Sequence, residues 1–271
     1  MDMIKNTLTI AGVDPSGGAG VLADVKVMSA LGTYACAVIA ALTAQNTQSV
    51  TGVKPIDRDF INLQIDTLFK DVRIDSVKIG MLGDSNTIRT VADGLEKHNP
   101  PFIVLDPVMV AKSGDKLLED SAISSLAHDL LPFAHMITPN LPEAAELLNQ
   151  GGIANLKEAY KATEKLHKLM NQSRESWVLL KGGHSSEAES VDLLFNGDRM
   201  IEHVNPKFDT KNTHGTGCSL SSAICALQAR YSDVPRATRD AIKYVHEAIE
   251  NSNLLSVGHG HGPIHHFYNV W

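Results

Sequence analysis

The chain has 271 residues, 43% of them hydrophobic, and a formal net charge of −7 at pH 7. This length fits one large α/β domain or two small ones. The mild acidity, without a basic block, argues against a nucleic-acid partner. Three scattered cysteines favour a reducing compartment. We find no apolar run of transmembrane length and no signal-peptide pattern, so we expect a cytoplasmic protein without a membrane partner.

Strand and helix patterns alternate along the chain. Short apolar runs predict strands at residues 7–12, 35–42, 76–80, 102–106, 135–138 and 177–181. Apolar residues at helical spacing predict helices at residues 21–31, 61–69, 85–98, 120–131, 141–148, 155–170, 220–230 and 234–251. This alternation is typical of a mostly parallel sheet covered by helices on both faces.

Two segments depart from the alternation. Asn196-Gly197-Asp198 separates apolar runs at 190–195 and 199–204, which predicts a β-hairpin. Residues 47–56 look extended, and we interpret them as a small flap. The sequence has no Pro/Ser-rich linker and no internal repeat, so we expect residues 1–271 to form a single domain.

A glycine-rich segment precedes the helix predicted at 220–230. It reads Asn212-Thr213-His214-Gly215-Thr216-Gly217-Cys218-Ser219. Its glycines allow a tight turn, and the free N–H groups of the helix start would form an anion pocket. The helix dipole there favours a thiolate at Cys218. This pattern suits phosphoryl transfer, and the structural alternative is a helix cap beside a buried cysteine.

Polar residues that follow the later strands fit the same chemistry. Ligands of open parallel sheets bind outside the carboxyl ends of the strands. Asp106 follows one strand as a candidate metal partner, and Lys181 follows another as a candidate phosphate contact. Asn140 and Glu143 fit either a capping box or a metal site. With Cys218, these groups supply what phosphoryl transfer needs.

Residues after the earlier strands suit a small substrate. The turn after the first strand contains Gly18-x-Gly20-x-x-Ala23, which formally matches a dinucleotide fingerprint, but no acidic residue ends the next strand. We therefore favour a small substrate there, within reach of Asp24. Gln45 offers donors and acceptors to a heterocycle edge, and Met81 can pack on a flat ring. Their structural alternatives are a carboxylate near a helix start, a loop amide and a core methionine.

Taken together, these motifs resemble the hydroxymethylpyrimidine/phosphomethylpyrimidine kinases of thiamine biosynthesis, in the ribokinase-like superfamily. The similarity spans almost the whole chain and rests on residues 11–20, 44–46, 106–109, 138–140, 143, 181–184 and 214–218. It implies a three-layer α/β fold, with a mostly parallel central sheet flanked by helices and a small flap. It also implies phosphorylation of 4-amino-5-hydroxymethyl-2-methylpyrimidine to its monophosphate and then its diphosphate, with ATP and Mg²⁺. Many relatives are homodimers.

The resemblance also implies roles for individual residues. The expected pyrimidine pocket consists of Gly12, Asp24, Gln45, Met81 and Val108. The expected Mg²⁺ site consists of Asp106 and Glu143. The expected nucleotide site consists of Asn140, Lys181, Gly183, Thr213, Gly215 and Thr216, with residues 111–116 as a loop over the triphosphate. The expected catalytic residues are Cys218, Gly215, Gly217 and Lys181.

One position departs from the wider superfamily. Most ribokinase-like sugar kinases carry an aspartate where this chain has Cys218, and that aspartate accepts the proton of the substrate hydroxyl. We favour Cys218 as the base. The alternative is that it only shapes the anion pocket, while the γ-phosphate or a metal-bound water handles the proton.

Three further alternatives stay open at the level of sequence. A pyridoxal/pyridoxine kinase would share the fold and the cysteine. A pyrimidine sensor without turnover is disfavoured by the intact set of Asp106, Glu143, Lys181 and Cys218. The histidine-rich tail at 258–266 has the composition of a transition-metal site. We favour a structural role for this tail because it resembles the family's glycine-rich C-terminal segment.

Overall fold

The computed structural model describes residues 3–111, 114, 117–118, 120–184 and 189–271. In these ranges one sheet contains the strands β1 (Asn6–Val13), β2 (Tyr34–Gln45), β3 (Val50–Pro55), β4 (Ser76–Ile79), β5 (Ile103–Leu105), β6 (Met136–Ile137), β7 (Trp177–His184), β8 (Glu189–Phe195) and β9 (Met200–Pro206). Their order across the sheet is β3-β2-β1-β4-β5-β6-β7-β8-β9.

The α-helices of the described ranges alternate with these strands. They are α1 (Gly20–Ala30), α2 (Arg58–Asp71), α3 (Ser85–His98), α4 (Asp120–Ser125), α5 (Leu141–Leu147), α6 (Leu156–Leu169), α7 (Thr216–Tyr231) and α8 (Val234–Glu250). Within the described ranges, every helix is too short or too polar to cross a bilayer.

The middle of the sheet is parallel and its two margins are antiparallel. Strands β2, β1, β4, β5, β6 and β7 pair in parallel, so their carboxyl ends lie along one edge. Strand β3 pairs antiparallel with β2 as the predicted flap, and β8 and β9 extend the other margin. The predicted hairpin is confirmed, because β8 and β9 pair on either side of Asn196-Gly197-Asp198.

Two apolar cores lie on opposite faces of the sheet. Alternation of side chains along a strand sends Ile103 and Leu105 of β5 to one core and Val104 to the other. Helices α2, α3 and α6 cover the first core, and α1, α7 and α8 cover the second. The predicted three-layer α/β architecture is therefore confirmed.

Several predicted helices differ in extent from the structure, and two of these differences have a physical reason. The helix expected at 120–131 ends as α4 at Ser125 and continues as a π turn and a 3₁₀ turn, Leu131–Phe133. Pro132 lies in that 3₁₀ turn and has no N–H to donate, which prevents a regular α-helical continuation. Helix α7 begins at Thr216, earlier than expected, since the apolar pattern reports only the packed part of the helix.

Candidate active site

A cavity of about 640 Å³ opens at the carboxyl edge of the parallel strands. Strand ends and the first turn of α7 contribute to its wall, as the topology requires. The expected site residues that line it are Gly12, Gln45, Met81, Asp106, Val108, Asn140, Glu143, Lys181, Thr213, Gly215, Thr216, Gly217 and Cys218.

Two glycine-rich segments meet at the start of α7. Gly215 is the N-cap of α7 with φ +77°, and a Cβ there would lie 1.7 Å from the carbonyl oxygen of Gly18. Only glycine satisfies both the backbone conformation and this approach. In the described part of the chain, no side chain caps α7 at Gly215. The free N–H groups of its first turn therefore suit an anion in the cavity.

A lysine and an aspartate face each other beside this helix start. Nζ of Lys181 lies 3.2 Å from Oδ1 of Asp106. Burial works against the charge of Lys181, but Asp106 and Glu143 more than compensate and raise the pKa of its ammonium group above the ordinary value. A Cβ on Gly217 would lie 3.4 Å from the same Nζ. The positively charged ammonium group of Lys181 therefore lies beside the first turn of α7.

The Asn140–Glu143 pair forms the capping box that the sequence left open. Oδ1 of Asn140 accepts from the N–H of Glu143, and Oε2 of Glu143 accepts from the N–H of Asn140, both at 2.8 Å. Burial, together with the Asp106 carboxylate, raises the pKa of Glu143 to about 7 against the opposing effect of Lys181. The cap fixes both side chains at the cavity wall.

Asp106 and Glu143 also fit the chemistry of a magnesium site. Mg²⁺ prefers oxygen ligands and is commonly held by one or two carboxylates together with substrate phosphates and water. Asp106 accepts from Thr138 Oγ1 at 3.1 Å and from Ser221 Oγ at 3.3 Å, which orients its carboxylate. Among the described residues, no group of three or more His, Cys, Asp or Glu could hold a metal. The carboxylates of Asp106 and Glu143 suit a cation that is also bound by substrate phosphates and water.

Cys218 lies half-buried in the cavity wall. Burial, assisted by the carboxylates of Asp24 and Asp106, raises the pKa of its thiol to about 11 and outweighs the ammonium of Lys78. This raised pKa disfavours the thiolate expected at this helix start, and the role of Cys218 as the base stays a prediction. Sequence reasoning counted the helix dipole and missed the carboxylates that other elements bring close.

Asp24 lies in the core rather than in the cavity wall. Its side chain is fully buried and forms an ion pair with Lys78 at 2.8 Å. It also accepts from Thr9 Oγ1 at 2.6 Å and from Ser222 Oγ at 2.7 Å. These bonds occupy its carboxylate, which corrects the expectation that Asp24 contacts the substrate.

The opposite part of the cavity has the expected ring-binding side chains. A Cβ on Gly12 would lie 2.6 Å from Cε of Met81, so the missing side chain makes room for that methyl group. Oε1 of Gln45 lies 3.2 Å from Thr43 Oγ1, and Thr43 donates to the Val13 carbonyl at 2.9 Å. This contact orients the amide of Gln45 at the end of β2.

Two expectations are left untested by these contacts. Gly183 lies on β7 opposite Val191, and its role at a nucleotide site stays a prediction. The loop expected over the triphosphate, residues 111–116, lies outside the described residues except for positions 111 and 114.

Sequence reasoning missed a buried pair, Asp14 and His214. His214 Nε2 lies 2.7 Å from Asp14 Oδ2, and both residues line the cavity. Asp14 also accepts from the Ala19 N–H at 3.0 Å. Both residues lie within the glycine-rich motifs, and this position in the sequence could have identified them as candidate site residues.

The histidine-rich tail is partly built into the core. His265 and His266 are buried, and Tyr244 donates to the carbonyl oxygen of His266 at 2.5 Å. The N–H of His214 donates to the carbonyl of Gly262 at 3.0 Å. These contacts agree with the structural role favoured for the tail.

The cavity thus combines a cation, two carboxylates and a helix N-terminus on a three-layer α/β fold, the arrangement of a phosphoryl-transfer enzyme. The sequence profile of the phosphomethylpyrimidine kinase family matches residues 14–265. A hydroxymethylpyrimidine/phosphomethylpyrimidine kinase of Escherichia coli is 46% identical over 266 residues, with 98% of each chain covered. The chain belongs to the phosphomethylpyrimidine kinase family, which confirms the resemblance found in the sequence.

Solved structures agree with this assignment and with the ribokinase-like fold. Phosphomethylpyrimidine kinase from Clostridium difficile 630 is 39% identical with a TM-score of 0.79, and the alignment covers 90% of this chain and 99% of that one. A pyridoxal kinase from Staphylococcus aureus, in complex with AMP-PCP and pyridoxal, is 30% identical with a TM-score of 0.87 and covers 99% and 96%. The fold is shared by both kinases, so it does not by itself select the substrate.

Proposed function

We propose that this chain transfers phosphate from ATP to 4-amino-5-hydroxymethyl-2-methylpyrimidine, and then phosphorylates the monophosphate to the diphosphate, in thiamine biosynthesis. The observation that carries the proposal is the placement of Lys181 and Asp106, 3.2 Å apart, at the first turn of α7 in the cavity that also contains Gln45 and Met81. Family membership supports the same reaction.

Each group has a role that follows from its position. Gln45 and Met81 hold the ring, with Gly12 and Val108 beside them. The ammonium of Lys181 and the N–H groups of α7 stabilise the negative charge of the transferred phosphoryl group.

Cys218 shapes this anion pocket as a neutral thiol. Because its pKa is about 11, almost none of it is ionised at neutral pH. Of the two roles that the sequence left open for Cys218, we therefore propose the second, in which it shapes the anion pocket and does not act as the base. As the hydroxyl oxygen of the substrate bonds to the γ-phosphorus and the bond to ADP breaks, the hydroxyl proton passes to an oxygen of the transferred phosphoryl group.

Mg²⁺ is the proposed metal cofactor, with Asp106 and Glu143 as the residues that would hold it or its waters. When bound, it supplies positive charge against the phosphate oxygens. Asn140, Thr213 and Thr216 also line the cavity and are proposed nucleotide contacts.

We also propose that residues 1–271 form one domain, and that the protein is a cytoplasmic homodimer. Exposed apolar side chains, Leu42 and Val53 on the β2–β3 flap and Phe60 and Leu63 on α2, support self-association. Sedimentation of the purified chain tests the oligomeric state.

A product assay by mass spectrometry tests the reaction. The protein, ATP and Mg²⁺ are incubated separately with the pyrimidine alcohol, its monophosphate and pyridoxal, and a Lys181→Ala sample controls for contaminating kinases. Formation of the diphosphate from the pyrimidine monophosphate is the expected result. Phosphorylation of pyridoxal alone would identify the second candidate, a pyridoxal kinase, which the Staphylococcus aureus neighbour favours. Unchanged ATP with all three compounds would favour a sensor.

A further inference from the structure

The pairing of β7 with β8 is interrupted next to the site. Leu180 pairs with Leu193, and pairing resumes with Gly183 opposite Val191. Two residues of β7, Lys181 and Gly182, therefore face the single residue Asp192 of β8. This two-against-one arrangement is a β-bulge, a feature that bends a strand and redirects a side chain.

Specific hydrogen bonds hold the backbone and the side chains at the bulge. The N–H of Lys181 donates to the Pro139 carbonyl at 2.9 Å, on the side away from β8. The N–H of Gly182 donates to Oδ1 of Asp192 at 2.8 Å, so a side chain replaces the missing ladder bond. Oδ2 of Asp192 accepts from Asn205 Nδ2 at 2.9 Å. Asp192 of β8 therefore binds the backbone of the bulge, and Asn205 of β9 binds Asp192.

The bulge sets the position and direction in which the side chain of Lys181 projects from the sheet. Gly182 has φ +82°, a conformation that favours glycine. Nζ of Lys181 stands between Asp106 and the first turn of α7. A change in the bulge would therefore move the ammonium group relative to both. Misplacement of a catalytic group by about 1 Å can lower turnover about 100-fold.

We propose that Asp192 is a positioning residue for Lys181, holding the Gly182 amide so that the ammonium group meets the transferred phosphoryl group, and that Asn205 orients Asp192. This inference rests on the proposed phosphoryl transfer. A competing role exists, because Asp192 also lines a second cavity of about 380 Å³ together with Thr213 and Thr216. In that role, Asp192 would contact the nucleotide directly.

A binding cycle separates the two roles. Dissociation constants for the non-hydrolysable nucleotide AMP-PCP are measured by calorimetry for the wild type, Lys181→Ala, Asp192→Ala and the double variant. If Asp192 acts through Lys181, the double variant binds as weakly as Lys181→Ala and no weaker. Additive losses would show that Asp192 contacts the nucleotide itself and would overturn the proposal.

Turnover and rescue provide the second readout. We expect Asp192→Ala to lower kcat about 10- to 100-fold, with the KM of the pyrimidine alcohol changed less than about twofold. The exchange Asp192→Asn with Asn205→Asp restores an acceptor for Gly182 and the bond between the two side chains, so it should recover most of the loss. Failure of this exchange to recover kcat, in a protein that melts like the wild type, would count against the proposal.

Two glycine substitutions form a matched pair. Gly182 and Gly152 both have positive φ, +82° and +110°, and neither has an atom within 4 Å of an added Cβ. Gly182→Ala should lower kcat like Asp192→Ala, whereas Gly152→Ala, away from the cavity, should not. Equal losses of kcat in Gly182→Ala and Gly152→Ala would overturn the proposal. A wild type without turnover would refute the proposed function alone, since the AMP-PCP cycle still reports the coupling.

Discussion

Lys78 and Asp24 form an ion pair that has no contact with solvent. Nζ of Lys78 lies 2.8 Å from Oδ2 of Asp24, and neither side chain has exposed surface. Ser222 of α7 donates to the same carboxylate at 2.7 Å. Because Ser222 lies one helical turn beyond Cys218, this pair joins α1, β4 and the helix that supplies the anion pocket.

Removing one partner of this pair should be strongly destabilising. Lys78→Met leaves the Asp24 carboxylate buried without its cation, and breaking a buried pair costs about 3–5 kcal/mol. The double variant Asp24→Asn/Lys78→Met should lose less than the sum of the single variants. Urea unfolding measures all three. Lys97→Met is the control, since its pair with Asp66 is exposed and should contribute under about 1 kcal/mol. Additive single losses would contradict an ion-pair interaction.

The pH dependence of turnover should distinguish the two roles of Cys218. Burial raises the pKa of this thiol to about 11, so a thiolate base would make kcat rise about tenfold per pH unit between pH 7 and 9. We expect no such rise, and we expect Cys218→Ala to have the same pH profile and to bind ATP like the wild type. A steep rise in the wild type that Cys218→Ala abolishes would identify the thiolate as the base.

Acidification should destabilise the fold already above pH 4. Burial lowers the pKa of His135 to about 4, helped by Arg174, and that of His266 to about 3, helped by Lys26. The unfolded chain binds these protons near pH 6.5, so between pH 6.5 and 4 it holds more protons than the folded chain. The stability present above pH 6.5 is therefore lost as the pH falls through this window.

Urea unfolding at several pH values tests this expectation. Each pKa unit of difference corresponds to about 1.4 kcal/mol. His135→Asn should reduce the slope of stability against pH in this window. A slope that is the same in the variant and the wild type would rule out His135 as a source of the effect.

The C-terminal tail should affect binding of the pyrimidine alcohol through Thr47. A Cβ on Gly260 would lie 2.1 Å from the carbonyl oxygen of Thr47, which accepts from the N–H of His261 at 2.9 Å. Thr47 follows Gln45 at the base of the flap. Gly260→Ala should therefore displace this base and raise the KM of the pyrimidine alcohol about tenfold.

The matched control for this prediction is Gly151→Ala, where an added Cβ has no atom within 4 Å. It should leave the KM unchanged. If Gly260→Ala lowers only the melting temperature and leaves the KM of the pyrimidine alcohol at the wild-type value, the tail does not influence the ring-binding part of the cavity.

Local patterns predicted most of the elements. Residues 85–98 were expected to be a helix and form α3 with the same bounds, because Asp84 caps its first turn and apolar residues repeat along one face. The bulge at Lys181 and Gly182 was not foreseen. The run at 177–181 looks like a plain strand, and only pairing with β8 shows where the ladder is interrupted.

The sequence by itself determined the family, the three-layer fold and most of the expected residues of the cavity wall. Parallel strands share one carboxyl edge, so residues that follow them converge whatever their separation along the chain. Only the tertiary structure showed the burial of Asp24 and the raised pKa of Cys218. Both depend on packing and on charges brought from other elements, such as Lys78, 54 positions from Asp24, and local patterns carry no information about such partners.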